Sequence, residues 1–242
     1  MSGEPVDGPE GGRGVPAPAW VRALQGRIDA AATGELTRPL ARPAQGLEVP
    51  RSRRAAVLVL VGPDGIVLTR RSSRLSSHAG QVSFPGGGID AGEDAQQAAL
   101  REGQEEVCLD PASVHVAAHF PELPVAPSFR PVTPVVGWWR EPHPIGVGSE
   151  IEVASVHTVP VDELVDPAHR FTARLPGFDR TTPGFAVDGL FVWGYTGWLL
   201  STVLQLGGVA PLVLLPALAI WLPESLRYLQ TRQNEPDRAQ AQ

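Results

Sequence analysis

Apolar and polar positions recur with two different periods along this chain, and the switches between them mark its elements. Residues 53–71, RRAAVLVLVGPDGIVLTRR, hold two apolar runs around Pro63, Asp64 and Gly65, which predicts two strands joined as a hairpin. Upstream, Trp20, Leu24 and Ile28 fall at helical spacing, so residues 20–32 predict a short docking helix. A second helix is expected from about residue 94 to 107, directly after a glycine-rich loop. SVHVAAHF (113–120), TPVVGWWR (133–140) and EVASVHTVP (152–160) read as strands, and VDELVD (161–166) as a turn or short helix. DGLFVWG (188–194) predicts the last strand, followed by a helix from 196 to about 206. Strands interleaved with a few helices imply an α/β (α+β) class, a mixed sheet sandwiched between helices. The expected organisation is a disordered tail over 1–19, then a helix and Pro-rich connection over 20–50. The main domain follows over 51–206, then an apolar helical segment over 207–223 and a polar tail over 224–242.

Composition narrows the class of function. The 242 residues are 43% hydrophobic, enough for one core domain with extensions. All 20 basic residues are arginine, and the net charge of −6 argues against a general nucleic-acid binder. A single cysteine, Cys108, excludes an intramolecular disulfide and fits a reducing, cytoplasmic setting. Residues 1–18 are polar and Gly/Pro-rich, without the basic-then-apolar pattern of a signal peptide.

The candidate chemistry lies in GGGIDAGEDAQQAALREGQEE, residues 86–106. On the expected helix, Glu102, Glu105 and Glu106 stand at i, i+3 and i+4, with Glu93 just before the first turn. Like charges at this spacing cost roughly 0.2–0.5 kcal/mol per pair on a solvated surface. The cost turns to a gain if a divalent cation sits against the face, and Mg²⁺ takes such oxygen ligands while sharing itself with substrate phosphates. Gly86, Gly87, Gly88 and Gly92 let the preceding loop turn tightly beside a ligand, and Arg101 is placed to orient a carboxylate. The alternative is a solvated acidic helix with no ligand.

These residues also carry a family resemblance. Gly87, Glu93, Arg101, Glu102, Glu105, Glu106 and Leu109 stand at the spacing of the Nudix box, and the chain resembles the Nudix hydrolases. It departs from the box at Gly103, where an aliphatic residue or Ala is usual, and at Cys108, where Gly is usual. A mid-helix glycine costs about 0.8–1 kcal/mol relative to Ala. A Cβ at the helix end opposes the left-handed turn expected there. The resemblance implies a Nudix fold, with Mg²⁺ or Mn²⁺ held by Glu102, Glu105 and Glu106 and with Glu93 supporting the loop or a second metal. Glu105, Glu106 and Arg101 are thereby candidate catalytic residues, joined by Glu152 as a candidate general base, for which an exposed strand residue is the alternative.

Residues 68–87, LTRRSSRLSSHAGQVSFPGG, resemble the signature of the coenzyme A pyrophosphatase branch of that superfamily. Thr69, Arg71, Ser72, Leu75, His78, Gly80, Gln81, Val82, Phe84, Pro85, Gly86 and Gly87 match it, while Ser76 replaces a usual arginine. Ser155 stands where the branch often has a second acid. This implies hydrolysis of coenzyme A, and of its thioesters, to 3′,5′-ADP and 4′-phosphopantetheine derivatives. Candidate substrate-binding residues are Arg70, Arg71, Arg74, His78, Phe84, Gly86 and Gly87; guanidinium groups suit phosphate geometry, although a solvated basic edge is the alternative for Arg70 and Arg74. For His78, bracing the loop is the alternative to binding phosphate. His115 and His119 read as structural. The competing readings are a Nudix hydrolase of another nucleoside diphosphate derivative, and a non-catalytic binding protein of the same fold.

No charged residue occurs from 189 to 223. Residues 207–232 resemble a transmembrane helix and loop of a major-facilitator transporter. The apolar segment 207–223 is therefore expected to be foreign to the catalytic unit. It associates with a membrane, or else packs on the domain or on a homodimer partner.

Overall fold

In the computed structural model, residues 14–31, 54–125, 130–174, 181–210 and 219–220 are described. The first helical stretch is two short helices, α1 (Ala19–Arg22) and α2 (Leu24–Ala30). The hairpin follows as β1 (Ala55–Gly62) and β2 (Gly65–Arg71), closed by the pairs Val61–Ile66 and Gly62–Gly65 with Pro63 and Asp64 at the turn. β3 (Val82–Ser83) joins β2, and β4 (Gly86–Gly88) pairs antiparallel with the start of β1. Helix α3 (Ala95–Val107) comes next, then β5 (Val114–His119), β6 (Leu123–Val125) and β7 (Arg130–Trp139). β7 runs parallel to β1 from Ala55–Val132 to Val61–Trp138, and β5 and β6 pair with β7. β8 (Val153–Val159) returns antiparallel to β2. The result is a mixed sheet whose main path is β3-β2-β1-β7-β5.

Strand alternation sends the side chains of β1 and β2 into two cores. Ala56, Leu58, Leu60 and Val67 pack with Ala98, Ala99 and Val107 of α3 and with Leu109 and Trp139. Val59, Val61, Ile66 and Leu68 face the opposite way, toward Leu24 and Ile28 of α2. That second core is completed by α4 (Val161–Val165), the strands β10 (Thr181–Val187) and β11 (Leu190–Val192), and helix α5 (Gly194–Gly207), while β9 (Arg170–Arg174) pairs antiparallel with β10. The sheet therefore lies between helices, an α+β architecture. β9, β10 and β11 form a smaller sheet with β12 (Ala219–Ile220), in the order β11-β10-β9-β12.

Four expectations need correction. Part of the expected N-terminal tail is docked: Val15 N–H donates to Arg140 O at 2.7 Å, and Trp138 Nε1 donates to Val15 O at 2.7 Å. β9 and β10 occupy a stretch in which no element is expected. β11 is not the last strand, because β12 pairs parallel with β9. Within 207–223, Ala219 and Ile220 pair as a strand where a helix was expected, and α5 ends at Gly207 with Gly208 in the left-handed region at φ 71°. No helix among the described residues is long and apolar enough to cross a membrane. Residues 1–13, 32–53, 211–218 and 221–242, and with them most of the transporter-like segment, lie outside the described residues.

Candidate active site

The acidic helix is fixed at its start by side chains that answer its unpaired backbone groups. Asp94 accepts from Gln97 N–H at 2.8 Å, and Gln97 Oε1 accepts from Asp94 N–H at 2.9 Å, a reciprocal capping box. Its inner face buries Ala98, Ala99, Glu102, Gly103, Glu106 and Val107. The unusual Gly103 has a packing reason. A Cβ there would stand 3.0 Å from side-chain carbons of both Leu58 and Leu109, so the glycine lets α3 settle closely on β1. Cys108 ends the helix at φ 59°, ψ 31°, the left-handed turn expected of it.

Three carboxylates converge at this helix. Glu102, Glu106 and Glu152 each offer an oxygen, and these oxygens lie within 4.8 Å of one another. Glu106 is only 2% exposed and accepts one hydrogen bond, from Gly86 N–H at 3.2 Å. The glycine of β4 is needed for contact: a Cβ on Gly87 would overlap the Glu102 carboxylate. Burial pushes the Glu106 carboxyl up to about 7, and Glu102 and Glu152 push the same way, against the Gly86 N–H and the Arg71 guanidinium. Burial raises Glu102 as well, although Arg101 opposes it. Glu152 enters from the turn before β8, where its carbonyl accepts from Ser72 N–H at 2.8 Å. The helix spacing and the downstream acid thus meet across the fold.

Glu105 is not in that cluster. At 100° per residue, Glu106 is about 40° from Glu102 around the helix, whereas Glu105 is about 60° away on the other side. Its side chain is 57% exposed and holds Arg101 Nη1 at 3.1 Å. Arg101 is the hub of the rim. Its Nε donates to Glu93 Oε1 at 2.8 Å, and its Nη2 to Glu93 Oε2 at 3.2 Å and to Gly88 O at 2.8 Å. Nη1 also reaches Glu102 at 3.0 Å. One planar guanidinium therefore ties the glycine loop, Glu93 and two acids of α3 together. Arg101 holds the Glu93 carboxyl below its usual range, and Glu93 in turn raises the guanidinium.

The residues expected to bind substrate separate. Arg71 lies in the field of Glu106, on the acidic side of the sheet. Arg70 does not: its Nη2 donates to Gly189 O at 2.8 Å, tying β2 to the turn before β11. Arg74 is exposed in the loop after β2. His78, at φ 56°, places Nδ1 3.0 Å from Gln81 Oε1 and so braces that loop. Phe84 is 3% exposed within the second core, which makes it a packing residue rather than a ligand contact. No histidine joins the acidic cluster among the described residues. Two features carry no local sequence signal, the Gly88 carbonyl at Arg101 and the pair Ser155 Oγ–His157 Nε2 at 2.7 Å.

Two buried acids beside an exposed third, with too few nearby cations to neutralise them, fit a hard divalent ion, which prefers all-oxygen ligands. Metal-dependent hydrolases are one class that requires such a cluster. Comparison with known proteins gives the family: the NUDIX domain model matches residues 51–178, and the chain belongs to that family. It is 38% identical over 178 residues to a protein of Citrobacter koseri named "Uncharacterized Nudix hydrolase NudL", across 71% of this chain and 92% of that one. It is 35% identical over 162 residues to "Nudix hydrolase 3" of Caenorhabditis elegans, across 60% of this chain and 68% of that one. The crystal structure of a Nudix hydrolase from M. smegmatis, RenU, covers 67% of this chain and 89% of that chain, at 21% identity and a TM-score of 0.44. The protein is accordingly a hydrolase of phosphoric anhydride bonds in nucleoside diphosphate derivatives.

Proposed function

We propose that this chain hydrolyses the diphosphate of coenzyme A and its thioesters, releasing 3′,5′-ADP and 4′-phosphopantetheine or its acylated form. The observation that carries the reading is the convergence of residues 68–87 on the acids. That segment resembles the coenzyme A pyrophosphatase pattern, and it delivers Arg71 beside Glu106 and Gly86 and Gly87 against Glu106 and Glu102. Arg71, with Arg74 from the exposed loop, supplies cationic donors for the substrate's phosphates.

Glu102 and Glu106 would hold Mg²⁺ or Mn²⁺, with Glu105 joining from the exposed side and Glu93 fixing the loop through Arg101. When bound, the cation offsets charge on a diphosphate oxygen and lowers the pKa of water. Glu152 is exposed, reaches the cluster and is offered as the base that takes a proton from the attacking water. The water oxygen forms the new P–O bond as the bridging P–O bond breaks. The test is incubation with coenzyme A and Mg²⁺, with the products identified by mass spectrometry, beside a panel of dinucleotides and nucleotide sugars. Release of 3′,5′-ADP is expected. Equal or greater turnover of ADP-ribose would overturn the assignment.

A further inference from the structure

Glu152 reaches the acidic cluster from the connection between β7 and β8, residues 140–152, in which no helix or strand fixes the backbone. Its position therefore depends on how that connection is fastened. Gly146 N–H donates to Val107 O at 3.1 Å, and Gly148 N–H donates to Glu106 O at 2.9 Å. The last carbonyls of a helix have no partner within it, so these donors close α3 and seat the connection on its end. Beyond Gly148, Glu152 N–H donates to Ser149 O at 3.1 Å and Val153 N–H to the same oxygen at 2.8 Å, while Glu152 O accepts from Ser72 N–H at 2.8 Å. Glu106 thus meets this connection with both its ends. Its backbone oxygen holds Gly148, and its carboxylate lies within 4.8 Å of the Glu152 carboxylate.

Gly146 and Gly148 are not equivalent. A Cβ on Gly146 would meet nothing within 4 Å, whereas a Cβ on Gly148 would overlap the Glu105 carbonyl and stand 3.3 Å from Cys108 Sγ. Neither glycine lies in the left-handed region, so backbone conformation does not separate them; closeness to the helix does. A helical carbonyl cannot swing aside as the end of a flexible side chain can. A methyl group at 148 must therefore shift the connection off the end of α3, and Glu152 with it. The geometry points to Gly148 as a positioning residue for the reaction: its missing side chain lets the connection close on α3 and so sets Glu152 against Glu102 and Glu106. This inference rests on Glu152 acting as the base, as proposed above.

The test measures kcat and KM of the full chain with Mg²⁺, on whichever of coenzyme A and the panel compounds is turned over. The variants are Gly146→Ala, Gly148→Ala, Glu152→Gln and the double variant Gly148→Ala/Glu152→Gln. A misplaced base costs chemistry more than binding, so Gly148→Ala should lower kcat about 10²-fold with KM held within about twofold. Gly146→Ala should stay close to the unaltered protein. The double variant should be no slower than Glu152→Gln, because a carboxylate already removed cannot be misplaced as well. In the unaltered protein, hydrogen exchange should show the Gly148 amide as protected as those of the last turn of α3. Near-normal kcat in Gly148→Ala, equal losses in the two glycine variants, or losses in Gly148→Ala and Glu152→Gln that multiply would overturn the inference and leave the base assignment standing. Exchange of the Gly148 amide at the rate of an open loop overturns it without any variant having to fold. Full turnover in Glu152→Gln overturns the base assignment and this inference together.

Discussion

At the scale of single residues, the energetics centre on Glu106. A carboxylate 2% exposed, with one backbone donor and two acids beside it, is costly to ionise without a cation. Its carboxyl is pushed up to about 7 in the folded protein, against about 4.5 when exposed. A raised carboxyl stabilises the fold fully below its unfolded pKa, and that stability is lost as pH rises through the folded value. The metal-free protein should therefore lose stability on the order of 3 kcal/mol between about pH 5 and pH 8. Glu102, raised in the same direction, adds to the loss. Melts in EDTA across that range should show Tm falling. Added Mg²⁺ should restore more at pH 8 than at pH 5, and a Tm in EDTA that climbs toward pH 8 would contradict the account. Glu106→Gln gives the complementary result. It removes the ionisation, flattening the metal-free pH profile, and lowers turnover by roughly 10²–10³-fold because the charge needed for the cation is gone.

At the scale of elements, the acidic helix was legible because every requirement is local. The acids repeat at helical spacing, and the glycines stand directly before them. Glu152 was reachable only as a downstream acid, since its meeting with Glu102 and Glu106 depends on β8 returning beside β2. Arg70 and Arg71 look equivalent in the sequence, yet a strand sends neighbours to opposite faces, and one braces Gly189 while the other lies near Glu106. Phe84 matched a family pattern whose reason here is packing. β10 escaped because Pro183 and Gly184 interrupt it and its burial does not alternate, whereas β9 alternates, with Phe171 and Ala173 buried, but over only five residues. Cys108 at the helix end and Gly87 in β4 yield opposite mutational outcomes. Cys108 holds φ 59° with a Cβ, so Cys108→Gly should stabilise by about 0.5–1 kcal/mol, seen as a higher Tm with turnover retained. Gly87→Ala should instead abolish most activity, because its methyl takes the space of the Glu102 carboxylate. Near-normal turnover in Gly87→Ala would show that β4 can retreat from the helix.

At the scale of the whole molecule, the two ends of the chain contribute unequally to the domain that carries the acids. Val21, Leu24 and Ile28 are 0%, 0% and 4% exposed within the second core, and Trp20 lies against Gly207. Arg27 Nη1 donates to Leu206 O at 2.6 Å, and His119 N–H donates to Gln25 Oε1 at 2.8 Å, so α2 is bonded to both α5 and β5. Full burial of three such aliphatic side chains is worth about 5–9 kcal/mol as an upper estimate, comparable with the whole stability of an ordinary domain. The C-terminal end differs. α5 is closed by backbone bonds from Gly208, Val209 and Ala210, and Ala210 is itself buried. Beyond it, the described contact is the two-residue pairing of β12 with β9. A chain ending at residue 210 should therefore fold and keep its turnover, since Glu93, Arg101, Glu102, Glu106 and Glu152 and all strands of the larger sheet are retained. A chain beginning at residue 32 should fail to fold or aggregate, although it has the entire acidic site. Circular dichroism melts and turnover of both truncations check this. A folded, active chain from residue 32 beside an unfolded chain ending at 210 would reverse the assignment of which end belongs to the core.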